Sequence, residues 1–159
     1  MNDQINRETF TIILFALLTE TFEEVQGIYL DKGTTLFETL DSINAAEASQ
    51  PVGNKCATLA AQVAHITFYL DVLERYMLTE KLDPVDWGEI WRTVTAVSPQ
   101  EWQDLQTNLQ QSYDRILTTM QAFDNWDDER RLGGALGIVV HTAYHLGEIR
   151  QALCVLKES

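Results

Sequence analysis

Apolar side chains recur at helical spacing in four long windows, and no window of comparable length alternates with period two. Phe10, Ile13, Leu14, Leu17, Leu18, Phe22 and Val25 define a first helix over about residues 7–27. Leu59, Val63, Ile66, Leu70, Leu73 and Met77 define a second over about 55–80. Trp102, Leu105, Leu109, Tyr113, Ile116, Met120 and Phe123 define a third over about 99–124. Val139, Thr142, Leu146, Ile149, Leu153 and Leu156 define a fourth over about 134–157.

The polar punctuation agrees with this division. Ser98, Pro99 and Glu101 read as a capping box with proline at the first helical position. Thr35, with Glu38 three residues on, starts a short helix around 34–43, and Asp83–Pro84 opens a turn that carries Trp87 and Trp91. The alternating steps of three and four predict an all-α fold, a four-helix bundle with helices packed near parallel or antiparallel. About nine residues join the third and fourth helices, which suits antiparallel neighbours. Nearly twenty separate the second from the third, enough for a crossover that leaves them parallel. The long link between the first and second helices points the same way, away from simple up-down-up-down order.

Composition bounds the function. The 159 residues suit a single domain spanning 1–159. Gly and Pro are sparse, 11 together, as expected of a helical chain. With 24 acidic residues against 11 basic and a net charge of −13, the chain lacks the basic footprint of a nucleic-acid binder and is repelled by anionic membrane surfaces. The longest apolar stretch, Phe10 to Leu18, is half the length of a membrane span. The start of the chain, with Asp3, Arg7 and Glu8, lacks the positive lead of a signal peptide, and the two cysteines form no CxxC pair; a cytoplasmic protein with reduced thiols is the expectation. The acidic residues, among them Glu20, Glu23, Glu24 and Asp127 to Glu129, are expected on outer, solvated faces.

The three histidines carry the candidate chemistry. His141 and His145 lie one turn apart on the fourth helix, and each immediately precedes an inward position, Thr142 or Leu146; His65 precedes Ile66 in the same way. If the second and fourth helices are antiparallel neighbours, three imidazoles could meet at one point. Three neutral imidazoles suit zinc, nickel or iron(II) and leave coordination positions open for water or substrate. The competing reading is that the HxxxH spacing is chance and each histidine is a hydrogen-bonded core residue. The sharper metal motifs fail: position 142 is Thr, which excludes HExxH, and Gln62, Ile138 and Thr142 stand where ExxH pairs would need Glu. There is no phosphate-binding loop and no nucleophile elbow.

The neighbours carry expectations of their own. Tyr69, one turn after His65, either donates to a metal-bound ligand or packs with its hydroxyl at the bundle rim. Tyr144 reads as an interface or core residue, and Asp71 and Glu148 as exposed. Gly133, Gly137 and Gly147 suggest close backbone approach, to a helix at Gly137 and to a helix or ligand at Gly147. Cys56 and Cys154 read as buried small apolar residues on the side away from the histidines.

The segment Val140-His141-Thr142-Ala143-Tyr144-His145-Leu146-Gly147-Glu148-Ile149-Arg150-Gln151-Ala152-Leu153 resembles the C-terminal helix signature of the DinB-like, YfiT-related family, which is unconnected with the translesion polymerase called DinB. Ala61-Gln62-Val63-Ala64-His65-Ile66-Thr67-Phe68-Tyr69-Leu70 resembles the family's second-helix motif, and the turn with Asp86-Trp87 and Trp91 is similar too. The resemblance implies an up-down-down-up four-helix bundle, often a homodimer, with a DNA-damage or stress-response connection. It implies one divalent ion (nickel, zinc or iron) held by His65, His141 and His145. Relatives include S-transferases that use bacillithiol or mycothiol and proteins described as metal hydrolases. The leading expectation is therefore a metal-dependent enzyme acting on a small molecule, with a low-molecular-weight thiol or water as nucleophile. Its rivals are a non-catalytic bundle that binds metal or a protein partner, and a metal-free interaction module.

Overall fold

In the computed structural model, which describes residues 6–52, 56–79, 81 and 83–157, helices begin where the sequence offers polar caps. Helix α1 (Arg7–Phe22) starts under Asn6, whose side chain accepts from the backbone N–H of Glu8 and Thr9. Helix α2 (Leu36–Asp41) starts at the Thr35/Glu38 capping box, and the one-turn α3 (Ala45–Ala48) at an Asn44/Glu47 box that the periodicity did not signal. Thr58 caps α4 (Leu59–Leu78). The short α5 (Glu89–Thr93) carries Trp91, Ser98 and Glu101 box the start of α6 (Pro99–Gln121), and α7 (Glu129–Lys157) completes the chain. Among the described residues these seven helices are the regular structure, with one isolated bridge between Pro51 and Thr58. The predicted limits of the second helix, 55 and 80, lie outside the described residues.

Two boundaries differ from expectation for physical reasons. Helix α1 stops at Phe22 rather than near 27, because the backbone N–H groups of Gln26, Ile28, Tyr29 and Leu30 point back to the carboxylate of Glu20. Glu20 is therefore buried, not part of the outer acidic coat. Helix α7 starts about a turn early, where the Asp128 carboxylate accepts from the Arg130 backbone N–H and pairs with its guanidinium. Ile13, expected inside, is 51% exposed.

The long helices pack through one apolar core that includes Leu18 and Phe22 of α1, Ile66 and Leu70 of α4, Tyr113 and Ile116 of α6, and Ile138 and Ile149 of α7. Their directions follow from the side chains that meet. Gln62 bonds Glu148 while Met77 lies against Gly134, so α4 and α7 are antiparallel. Asp71 accepts from Ser112 and Glu74 from Thr119, so α4 and α6 are parallel. Arg7 reaches the carbonyl of Phe123, and Tyr113 bonds Glu23, so α1 opposes α6. Among the described residues no helix is long and apolar enough to cross a membrane.

Candidate metal centre

Helices α4 and α7 approach closely where α7 has no side chains to keep them apart. A Cβ on Gly134 would fall 2.5 Å from Met77 Cγ, and one on Gly137 would fall 3.1 Å from Leu73 Cδ1. The helix-packing role expected for Gly137 holds, and Gly134, which the sequence reading passed over, is the tighter of the two. Gly133 and Gly147 have nothing within 4 Å of that position.

One to two turns beyond this contact the histidines converge. His65 Nε2 and His145 Nε2 each lie 3.2 Å from His141 Nε2. One nitrogen from each ring fits within a 4.8 Å span, so the three side chains can hold a metal ion. Arms of about 2.0–2.1 Å at a tetrahedral angle set neighbouring ligand nitrogens about 3.3 Å apart, which the observed 3.2 Å spacings match. His65 and His145 are 7% and 6% exposed, and His141 is half-buried. Nδ1 of His65 and of His141 is buried with no partner.

The protonation state suits ligation. Burial lowers the His65 pKa to about 4 and the His141 pKa to about 3, and the neighbouring His145 pushes both the same way. Burial also lowers His145, against the opposing pull of Glu148. All three rings are therefore neutral near pH 7, the form that coordinates metal. Glu148 Oε2 lies 2.9 Å from His145 Nδ1; accepting that N–H leaves the His145 Nε2 lone pair facing the other two rings. The same carboxylate oxygen accepts from Gln62 Nε2 at 3.2 Å.

Aromatic rings surround the cluster. Tyr69 stacks on His141 with centroids 3.5 Å apart and planes 4° apart. Trp91 lies 4.4 Å from the His65 ring, and Trp87 packs edge-on to Phe68. The turn and short helix after α4 thus cover the histidines.

Other expectations change. Glu148 is not a free surface carboxylate but the group that orients His145; its i,i+3 spacing from His145 was the available signal. Asp71 is half-buried at the α6 contact, bonded to Ser112 and Arg115, and plays no part in the cluster. Tyr144 is 61% exposed rather than in the core, and the neighbouring Glu148 carboxylate raises its pKa. Cys56 and Cys154 are free and exposed, not buried: Cys56 precedes the Thr58 cap, and Cys154 lies beside the inward Leu153 on α7.

If the cluster holds a metal ion, Glu148→Gln should weaken its binding about 10–100-fold while leaving the helical content intact. Competition titration against a chromophoric chelator measures the loss, and unchanged affinity removes the orienting role of Glu148.

No family model matches the chain, and neither a curated protein nor a solved structure matches it.

Proposed function

We propose that the protein is a DinB-like, metal-dependent enzyme, an up-down-down-up four-helix bundle of α1, α4, α6 and α7 that acts on a small molecule through one nickel, zinc or iron ion. The observation that carries this reading is the meeting of three neutral imidazoles at 3.2 Å spacing on two antiparallel helices. The directions of the helix pairs support the bundle order: α4 parallel to α6, and α1 opposed to α6. His65, His141 and His145 hold the ion, Glu148 fixes the tautomer of His145, and Tyr69 and Trp91 keep bulk water from the rings. When bound, such an ion lowers the pKa of a coordinated thiol or water and so makes a nucleophile for transfer to, or hydrolysis of, a small electrophile. The indole over His65 favours a second reading, a bundle that binds metal without turnover.

Protein purified without a tag should carry about one divalent ion per chain. Model electrophiles offered with low-molecular-weight thiols, and model esters offered alone, should turn over only with the metal-loaded protein. Full metal content without metal-dependent turnover of any of them would establish the second reading in place of the first.

A further inference from the structure

A cavity of about 400 Å³ lies beside the histidines, between the start of α4 and the C-terminal part of α7. Its walls are mainly apolar: Val52 ahead of α4, Leu59 on α4, and Ala152 and Val155 on α7. Two of its polar side chains, Gln62 and Glu148, are those that serve His145. This size, with an apolar lining and a few placed polar groups, is that of a small-molecule site. Gly147 lines the cavity too, and a Cβ there would meet nothing within 4 Å. Packing within the chain therefore does not explain this glycine, a residue disfavoured in a helix interior, whereas open space for a ligand does.

The lining selects the occupant. Among the described lining residues Glu148 is the one charged side chain, in a chain of net charge −13. Its Oε2 accepts from His145 and Gln62, and a carboxylate has further lone pairs for another donor. We propose that the cavity is an effector site for a small apolar amine, its ammonium group paired with Glu148 and its hydrocarbon part between α4 and α7. A primary alkylamine carries that charge at neutral pH. The occupant stands on the Nδ1 side of His145, away from the Nε2 that faces the other two rings. It therefore acts on the centre through Glu148 rather than by touching an ion there. A cation on the carboxylate weakens it as acceptor for the His145 N–H and adds positive charge nearby. Both effects oppose a second cation at the imidazoles, so amine and metal each weaken the binding of the other. This coupling rests on the metal-centre reading; occupancy of the cavity does not.

Cys56 reports occupancy. It is free, exposed and part of the cavity wall, whereas Cys154 belongs to a separate cavity. In metal-free Cys154→Ser protein, hexylamine should slow the reaction of Cys56 with a chromogenic disulfide, with a dissociation constant in the millimolar range. Methylamine has the charge without the tail and hexanoate the tail with the wrong charge, and neither should protect. Hexanol should protect less than hexylamine. Adding Glu148→Gln keeps the shape and removes the charge, and should weaken hexylamine about tenfold while leaving hexanol unchanged. Hexylamine that protects no better than methylamine overturns the site. Hexanol that protects as well as hexylamine, or hexylamine unaffected by Glu148→Gln, overturns the amine as its occupant. Zinc affinity, read by chelator competition, should fall about fivefold or more at saturating hexylamine. Unchanged zinc affinity while Cys56 is protected overturns the coupling. A chain that binds no zinc at all sinks the metal centre instead, and leaves the amine site to the metal-free measurement.

Discussion

His145→Ala abolishes stoichiometric metal binding. The substitution removes one of three nitrogens and leaves Glu148 without the ring N–H that it holds at 2.9 Å. Two imidazoles on neighbouring helices remain, a far weaker donor set for a divalent ion. Elemental analysis after dialysis reads the loss directly, and the thermal midpoint reads it again. A ligand that binds only the folded chain stabilises it by about 2.7 kcal/mol at a hundredfold excess over its dissociation constant. Added metal should therefore raise the midpoint of the wild type and not that of the variant. The pH dependence is distinctive. An imidazole of ordinary pKa begins to lose metal to protons near pH 6.5, whereas His65 and His141 stay neutral until pH falls toward about 4 and about 3. Burial lowers His145 as well, so wild-type affinity should fall off at a lower pH than it would for three ordinary imidazoles. A His145→Ala protein with full metal content would sink the centre.

The second large effect lies away from the histidines. Glu20→Ala should lower stability by about 3–5 kcal/mol. The carboxylate is buried and accepts from four backbone N–H groups, those of Gln26, Ile28, Tyr29 and Leu30, at 2.6–3.1 Å. Its loss leaves those donors without a partner where α1 gives way to the next segment. Glu20→Gln keeps one acceptor oxygen but turns an NH2 group toward donors, and should cost about half as much. The acid dependence has a definite sign. Burial pushes the Glu20 pKa up, yet the four N–H bonds outweigh it and hold the value below 4.5. The stabilisation is therefore fully present above about pH 4.5 and is lost as pH falls through the lowered value, so wild type and Glu20→Gln should converge in acid. Urea melts at neutral and acid pH measure both; a midpoint unmoved in Glu20→Ala would show that the segment holds itself.

Elements whose signals are local were legible in the sequence. Thr35 with Glu38 and Ser98 with Glu101 are capping pairs three residues apart, and both start helices as read. The histidine cluster was legible because each imidazole immediately precedes an inward position, and two antiparallel helices then bring the rings together. What was not legible depends on partners distant in sequence. Glu20 reads as one more surface acid until the chain folds back on it. Trp91 reads as a turn residue until α5 lies over His65. The exposure of Cys154 and the half-burial of Asp71 follow from how α7 and α6 are rotated, which periodicity fixes only to within a residue or so.

Trp91 also makes the centre optically visible. Its indole lies 4.4 Å from the His65 ring, whereas Trp102 is bonded to the Ile43 carbonyl and Trp126 to Thr11 in other parts of the molecule. Intrinsic fluorescence therefore carries a component that belongs to the histidines: an open-shell ion such as nickel or iron(II) would quench it, and closed-shell zinc would leave it bright.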